Sequence, residues 1–334
     1  MLYEEVLALG KCNLSTVDQK TEPEKWAALR TTGIGGSDAG AIMGINKYAS
    51  PLSVYLSKKD LSSFEGNGAT KWGHILEDPV RQAAREDLGI QIEEVPGMLR
   101  SNEIEFLNAN LDGVCYVEGT KEITGVVVSG LGGHEIKTSK SGEGFGEDEI
   151  PDSYFAQVQH YMKVTGLPFF ILSVFIIDSY TIKHYAIERN DFFITDLVNA
   201  ETDFWENYVM TDTPPAPTGC DNEKDSIANL PMDSEIDLPD EFIAVIEERA
   251  AIEAQIKELT KKSDALKETV LLEMFRLSNG ENAEKTTAHC GTYKITYNTQ
   301  VRKSIDTDAL KKAGLYDGYT KESVSKVMRV SGGK

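Results

Sequence analysis

A carboxylate and an ammonium stand two residues apart in the segment GHEIKTS, residues 133–139, as Glu135 and Lys137. The segment has the pattern of a short buried strand, in which residues two apart point to the same face of a sheet. Burying a charge without a partner is costly, and Glu and Lys are rarely buried unless they are paired. The two side chains are therefore expected to face a polar site.

Two further carboxylates precede this strand in contexts that suit the same site. Glu77 lies on the predicted helix WGHILEDPV, and Asp112 lies in NLDG, where a strand meets a turn. Asp112 and Glu135 offer the hard oxygen ligands that Mg²⁺ prefers, with Glu77 and the backbone carbonyl of Ile136 as further ligands. A metal there would offset phosphate charge and lower the pKa of a bound water, while a second metal would stabilise the leaving oxygen. Lys137 would orient or deprotonate the attacking water, or offset charge in the transition state.

The helix predicted over residues 152–165 adds two polar groups. Gln157 and Tyr161 lie four residues apart in AQVQHYM and so share one helix face. Gln157 can hydrogen-bond a phosphate or a metal-bound water, and Tyr161 can pack on the core and present its hydroxyl. Taken separately, Glu-x-Lys also fits a solvated salt-bridged strand and Tyr161 a core tyrosine. The order of all the groups favours phosphodiester hydrolysis.

The elements that must position these residues alternate between helical and strand patterns, which predicts an α/β fold. Helical periodicity covers residues 72–88, 152–165 and 191–209. Strand patterns fill the interval between the first two helices, and FFILSVFIID with TIKHYAIER reads as a pair of strands. The long interval between Asp112 and Glu135 predicts an extended hairpin. Residues 1–212 are therefore predicted to form the catalytic domain.

The C-terminal third has a different composition. A linker is predicted over 213–238 from its Pro, Asp and Thr content, and a long helix with a basic extension over 239–334. Residues 290–303 have the pattern of a basic strand pair. A coiled coil and a helix packed on the body are both consistent with the long helix. Its apolar residues alternate at spacings of three and four: Phe242, Val245, Ile252, Ile256, Leu259, Leu266 and Val270.

Composition limits the classes of function. The net charge of −20 argues against a protein that coats nucleic acid, although residues 281–334 carry +4. Contact with a polyanion must use local basic sites, metal ions or that C-terminal segment. The four cysteines lack a C-x-x-C pair, which disfavours zinc or iron–sulfur sites and disulfides. With neither a signal peptide nor a membrane-length apolar run, a soluble intracellular protein is expected.

These motifs together resemble a known superfamily. The succession GHILE, LDG, EIK and QVQHY is similar to the PD-(D/E)XK nucleases, and among them to the YqaJ-type viral recombinase exonucleases related to phage lambda exonuclease. RTTGIGGSDAGAIMGINKYASPLSVYLSKK resembles that family's N-terminal motif. The resemblance covers roughly residues 26–210. It implies a restriction-endonuclease-like core, a central mixed sheet flanked by helices.

The resemblance also implies an activity. It points to a 5′-to-3′ exonuclease, dependent on Mg²⁺ or Mn²⁺, that acts on double-stranded DNA ends and leaves 3′ overhangs for phage-type recombination. Expected partners are a single-strand annealing protein and further copies of the chain, for which a ring-shaped trimer is one form. The cytoplasm of a bacterial host is the expected location, with a phage or prophage origin. Asp112 and Glu135 match metal ligands, Lys137 the catalytic lysine, Glu77 the helix glutamate and Gln157 the motif glutamine.

Arg30 and Ser37 match an arginine and a serine that hold the terminal 5′-phosphate. Independently of the resemblance, an arginine fork beside a serine hydroxyl at a glycine-rich helix start suits a phosphate. A tight turn with a helix cap fits the segment GIGGSDAG nearly as well.

Other readings stay open from the residues themselves. An endonuclease or nickase would have the same active site. A non-catalytic DNA-binding scaffold would be expected to have lost one of four residues that are all present here: Glu77, Asp112, Glu135 and Lys137. An unrelated metabolic α/β enzyme is disfavoured, because no nucleotide-binding glycine loop follows a first strand.

Overall fold

The protein was examined as a computed structural model, which describes residues 1–15, 17, 21–61, 68–228, 230–278, 284–301 and 307–314. The chain divides into two compact units, Met1–Pro231 and Met232–Lys334. The predicted site residues all belong to the first unit.

The first unit alternates helices and strands along the chain. Its helices are α1 (Leu2–Ala8), α2 (Pro23–Thr31), α3 (Gly36–Ile42), α4 (Pro51–Lys58), α5 (Gly68–Leu88), α6 (Asp152–Thr165), α7 (Asp191–Phe204) and α8 (Asp221–Ala228). Its strands are β1 (Cys12–Leu14), β2 (Ile34–Gly35), β3 (Gln91–Glu93), β4 (Leu99–Ser101), β5 (Leu107–Ala109), β6 (Gly113–Ile123), β7 (Val126–Ser139), β8 (Phe169–Ile176) and β9 (Thr181–Glu188). A π-helical turn, Trp205–Val209, continues α7.

The central sheet is mixed, with strand order β3-β6-β7-β8-β9. Strands β6 and β7 form the long antiparallel hairpin that the sequence predicts. Strands β7 and β8 run parallel. A parallel pair needs a crossover connection, which helix α6 supplies. A smaller sheet, β1-β4-β5-β2, completes the unit.

The burial of strand β8 shows that the sheet is covered on both faces. Its residues are nearly all apolar and buried, as expected for a strand between two layers. Phe169 and Ile171 belong to the hydrophobic cluster that contains Ala84 of α5. Phe170 and Leu172 belong to the larger cluster that contains residues of α6. Helices α5 and α6 therefore lie on opposite faces, and the predicted α/β core with a central mixed sheet flanked by helices is confirmed.

Part of the predicted linker over 213–238 has regular structure. Asp221–Ala228 forms helix α8, and Glu223 accepts hydrogen bonds from the Ser50 hydroxyl and from the backbone N–H groups of Thr218 and Gly219. Glu223 is 1% exposed. The Pro- and Asp-rich composition did not reveal this because the stabilising contact joins positions far apart in sequence.

The second unit contains α9 (Phe242–Leu277), a hairpin of β10 (Lys285–Cys290) and β11 (Tyr293–Asn298), and α10 (Thr307–Lys312). The long predicted helix is therefore present. The strand pair begins earlier than the predicted range of 290–303, because the turn falls at Gly291, whose φ of 58° suits a tight turn. The predicted extension over 315–334 lies outside the described residues. Among the helices that the structure describes, none has the length and hydropathy to cross a membrane.

Candidate active site

Glu135 lies at the centre of a hydrogen-bond cluster between the sheet and helix α6. The Lys137 ammonium donates to Glu135 Oε1 at 2.6 Å, and Gln157 Nε2 donates to the same oxygen at 2.7 Å. Gln157 Nε2 also lies 2.9 Å from the Tyr161 hydroxyl, which accepts from it. Glu135 and Lys137 share the α6 face of β7, as their spacing predicts.

Asp112 reaches the same place from the neighbouring strand. It immediately precedes β6, where Gly113 pairs with His134 of β7. Its Oδ2 accepts the backbone N–H of Ile136 at 2.8 Å. This bond holds the Asp112 carboxylate beside the part of β7 that carries Glu135 and Lys137.

Helix α5 supplies Glu77 and also Arg81, which the sequence analysis did not single out. His74 Nδ1 lies 2.8 Å from Glu77 Oε1. One turn further along, Arg81 Nε donates to the backbone carbonyl of Asp112 at 3.1 Å, and Arg81 is only 4% exposed. The i,i+4 spacing of Glu77 and Arg81 in EDPVR was the available signal, because it places the two on one helix face.

All of the predicted site residues line a single pocket of about 450 Å³. These residues are Arg30, Ser37, Glu77, Asp112, Glu135, Ile136, Lys137, Gln157 and Tyr161. Their side chains come from six places in the fold: α2, α3, α5, the start of β6, β7 and α6. The structure thus brings the whole set together, while the catalytic and binding roles remain predictions.

The carboxylates of the pocket are destabilised by burial and by one another. Burial, together with the Asp112 carboxylate, raises the pKa of Glu135 to about 8, against the opposing effect of Lys137. Burial also raises the pKa of Asp112, despite Lys137 and the Ile136 N–H. The pKa of Glu77 is raised by burial and by Asp112. A site that raises the pKa of three carboxyls favours binding of a cation.

The same surroundings stabilise the charged form of Lys137. Burial by itself lowers the pKa of its ammonium, but Glu135 and Asp112 outweigh burial and raise the pKa overall. The ammonium also lies 5.1 Å from the centroid of the Tyr154 ring. Tyr154 was not predicted, although it lies three residues before Gln157 and hence on a neighbouring part of the same helix face.

One oxygen at this site has no hydrogen-bond partner. Glu135 Oε2 is buried and unpartnered, although the other oxygen of the same carboxylate accepts two bonds. A buried polar atom without a partner normally costs free energy. The donor set of Glu135, Asp112 and Glu77 consists of hard oxygens that suit Mg²⁺ or Mn²⁺. Among the described residues, no three His, Cys, Asp or Glu side chains form a preassembled metal cluster.

The predicted phosphate site lies at the same pocket, near its exposed edge. Arg30 and Ser37 are both exposed, and Arg30 Nη2 lies 3.4 Å from Ser37 Oγ. Behind them, the buried Lys58 ammonium bonds the backbone carbonyl of Arg30 at 3.1 Å and Asp38 Oδ2 at 2.6 Å. Sequence reasoning missed Lys58, because nothing in the run SKK distinguishes a buried lysine from an exposed one.

Glycine at position 36 brings the phosphate site close to α6. A Cβ atom there would lie 2.4 Å from Cε1 of Tyr161, well inside van der Waals contact. Asp38, two residues on, accepts the Gly35 N–H at 3.0 Å and caps the start of α3. The segment GIGGSDAG therefore caps α3 and approaches α6 closely, and both features are compatible with an exposed Arg30 and Ser37.

His134 lies outside the cluster, although it is adjacent to Glu135. It points to the α5 face, where its Nε2 lies 2.8 Å from the hydroxyl of Ser173. Burial, with Arg81 next in effect, lowers the pKa of His134 to about 3. The imidazole is therefore neutral and structural.

This chain is similar to several known proteins. Residues 25–168 match the family described as the YqaJ-like viral recombinase domain. The uncharacterized protein YqaJ of Bacillus subtilis is 29% identical over 298 residues, which cover 86% of this chain and 87% of that protein. An alkaline exonuclease (LHK-Exo) from Laribacter hongkongensis aligns with a TM-score of 0.45 and 22% identity, over 57% of this chain and 94% of that one.

A phage related exonuclease from Haemophilus somnus aligns with a TM-score of 0.39 and 17% identity, over 56% of this chain and 99% of the other. The family match covers Arg30, Ser37, Glu77, Asp112 and Glu135, and it continues through Tyr161. Residues 25–168 of this chain are therefore similar to the YqaJ-like viral recombinase domain.

Proposed function

We propose that this chain is a metal-dependent exonuclease that degrades one strand of linear double-stranded DNA in the 5′-to-3′ direction and leaves 3′ single-stranded overhangs. The observation that carries the proposal is the cluster around Glu135. Its carboxylate accepts from Lys137 and Gln157 through one oxygen and leaves the other without a partner, in a pocket that Asp112 and Glu77 also line. The similarity of residues 25–168 to the YqaJ-like viral recombinase domain agrees with it.

Asp112, Glu135 and Glu77 would hold the divalent ion, with the Ile136 carbonyl as a further ligand. The ion supplies a water of lowered pKa and neutralises charge on the phosphate. Binding it would satisfy Glu135 Oε2 and relieve the repulsion between the carboxylates of Glu135 and Asp112. The proposal specifies Mg²⁺ or Mn²⁺ and a two-metal reaction.

Lys137 acts as a hydrogen-bond donor toward the attacking water and the scissile phosphate. Its ammonium is held near Glu135 Oε1 and against the Tyr154 ring, so its position is fixed before substrate arrives. A fixed positive charge in a partly dehydrated pocket stabilises the extra negative charge that develops on the phosphate. Gln157 keeps the Glu135 carboxylate oriented through its Nε2 group and offers its amide oxygen as an acceptor to the attacking water.

Arg30 and Ser37 bind the terminal 5′-phosphate. Their exposure leaves them accessible to a strand end, and a planar guanidinium beside a hydroxyl suits a phosphate dianion. A terminal phosphate held in the same pocket as Glu135 would place the first internucleotide bond near the carboxylates. This is the feature that favours an exonuclease over an endonuclease with the same active site.

The strong negative charge requires that DNA be gripped by few basic groups. We expect DNA to contact local basic residues and the bound metal, with homo-oligomerisation, in one form a ring-shaped trimer, bringing more basic groups together. A single-strand annealing protein would take up the overhang. Cleavage should fall steeply with salt concentration, because the basic groups that the oligomer brings together displace counterions from each phosphate that they contact. Digestion that is insensitive to salt would contradict this part of the proposal.

The test is digestion of linear duplex DNA with Mg²⁺, one end carrying a 5′-phosphate and the other a 5′-hydroxyl. Preferential loss of the phosphorylated strand, abolished by Glu135→Ala or Lys137→Ala, supports the proposal. Covalently closed circles serve as the control, and their cleavage would indicate an endonuclease. Absence of cleavage with every divalent metal would indicate a DNA-binding scaffold.

A further inference from the structure

Helix α9 presents an apolar stripe that the described residues of the second unit do not bury. The stripe consists of Phe242, Val245, Ile252, Ile256, Leu259, Leu266 and Val270. The exposed fractions of these residues run from 41% for Val270 to 70% for Leu266. Every residue of α9 is described by the structure, and none of them is buried.

The stripe follows the heptad repeat of a coiled coil. With Phe242 at position a, seven of the nine a and d positions from 242 to 270 are apolar, interrupted by Arg249 and Ser263. The helix has 36 residues and is therefore about 54 Å long. A helix of this length with an apolar seam is stabilised mainly by packing that seam against a partner.

The rest of the second unit does not provide that partner within its described residues. The hairpin of β10 and β11 has no buried residue on either strand. Helix α10 has six residues and is too short to follow the stripe. A helix of similar length from another molecule would cover the stripe along its whole length.

The charges that flank the apolar stripe bear on the identity of the partner helix and on whether the two helices run parallel or antiparallel. At the e and g positions, the first half of α9 carries Glu248 and Glu253, and the second half carries Lys262, Lys267 and Arg276. In a parallel pair, each g residue faces the e residue five positions further along the partner helix. A parallel pair of α9 helices would therefore set Glu248 against Glu253, and Lys262 against Lys267, which are like-charge contacts.

An antiparallel pair brings the acidic first half of each helix alongside the basic second half of the other. The hydrogen bonds that these residues now make do not prevent this, because Glu253 pairs with Arg249 and Lys262 with Glu258 on the exposed surface of their own helix. Such exposed pairs contribute little to stability and exchange partners readily. We propose that α9 is a self-association helix that pairs with α9 of a second copy of this chain in an antiparallel coiled coil.

Size-exclusion chromatography with light scattering on the full chain tests the proposal. The wild type should contain an even number of chains, whatever assembly the first unit forms by itself. The double variant Ile256→Asn with Leu259→Asn should halve the mass, since two polar side chains replace the centre of the seam. The control is Leu272→Asn, because Leu272 is 73% exposed and lies outside the stripe; its mass should equal that of the wild type.

Reversing the charges that flank the stripe tests the antiparallel direction. The substitutions exchange Lys and Glu, which both have a high helix propensity. Lys262→Glu with Lys267→Glu should halve the mass at low salt, because an acidic half would then face an acidic half. Adding Glu248→Lys and Glu253→Lys to the same chain should restore the wild-type mass. An odd number of chains, or an Ile256 and Leu259 variant of unchanged mass, would overturn self-association through α9. Unchanged mass after reversal of the two lysines alone would overturn the antiparallel pairing.

Discussion

Gln157 Nε2 donates to Glu135 Oε1 at 2.7 Å, and through this bond helix α6 fixes the direction of a carboxylate on strand β7. Both residues are almost fully buried. The unpartnered Oε2 is consequently held in place without any group of the protein bonded to it. A carboxylate oriented in this way is prepared to bind a cation before the cation arrives.

The first prediction concerns this bond. Gln157→Leu should lower the turnover number by about 10²-fold, because Glu135 loses the donor that orients it and the attacking water loses an amide acceptor. Gln159→Leu is the matched control on the same helix. Gln159 is also buried but bonds the backbone around Glu188, so its loss should cost about 1–3 kcal/mol of unfolding free energy and spare turnover. Single-turnover cleavage and urea unfolding of both variants distinguish these effects; equal losses of turnover would contradict the assigned role.

The second prediction concerns metal binding without reference to activity. Mg²⁺ should raise the melting temperature of the wild type, since an ion that binds only the folded state stabilises it. In Glu135→Gln or Asp112→Asn this increase should disappear. Glu103→Gln is the control, because Glu103 pairs with Lys163 at the surface and should leave the Mg²⁺ response intact. A full response in the Glu135 variant would show that the ion binds elsewhere.

The third prediction concerns the close approach of α3 to α6. Gly36→Ala should destabilise the protein by about 1–3 kcal/mol and reduce cleavage, because its Cβ would displace the Tyr161 ring that contacts Gln157. Gly73→Ala is the control. Its Cβ would have only Thr138 Oγ1 as a neighbour, at 4.0 Å, inside a helix where alanine is favoured. The melting temperatures of the two variants should therefore shift in opposite directions. Similar decreases in both would mean that contact with Tyr161 does not cause the destabilisation.

Sequence order was sufficient to predict which residues meet in the pocket. Glu77, Asp112, Glu135 and Gln157 occupy elements whose type follows from hydrophobic period, and one crossover helix between parallel strands brings those elements together. Groups whose importance depends on tertiary burial were not predictable. Lys58 is an example, since its ion pair with Asp38 exists only because α4 packs beside the start of α3.

The helix in the predicted linker was missed for the same reason. Glu223 becomes structural through bonds to Ser50, a residue 173 positions earlier in the chain. In the second unit, the strand pair lies earlier than predicted, on either side of a turn at Gly291. Residues of strand character lie on both sides of this turn, and periodicity alone does not locate it.

The fourth prediction concerns the exposed edge of the pocket. Arg30→Ala should slow digestion from a 5′-phosphorylated end by about 10-fold or more and leave digestion from a 5′-hydroxyl end nearly unchanged, because only the former loses a charge-assisted contact. Arg30→Lys should recover part of the preference, since it restores the charge without the planar fork. Initial rates on the two substrates give the ratio. A variant that slows both ends equally would assign Arg30 to general DNA binding.

The fifth prediction concerns a buried ion pair remote from the carboxylates of the pocket. His160 Nδ1 lies 2.6 Å from Glu201 Oε1, and both side chains are fully buried. Burial alone lowers the pKa of His160, but Glu201 and the Asn108 carbonyl outweigh it and raise the pKa above 6.5. The folded state therefore holds a proton more tightly than the unfolded state. The stabilisation is fully present below about pH 6.5 and is lost as the pH rises through the raised pKa.

Glu201→Gln should accordingly cost about 3 kcal/mol of unfolding free energy at pH 6 and less at pH 9, since raising the pH moves wild-type His160 toward its neutral form. Urea unfolding at both pH values measures the difference between wild type and variant. Glu103→Gln provides the control, because it removes a surface pair whose partner is Lys163 rather than a histidine, and its small cost should be similar at both pH values. A cost for Glu201→Gln that is constant or increases with pH would mean that His160 is neutral in the folded protein, bonded to Glu201 only as an uncharged donor.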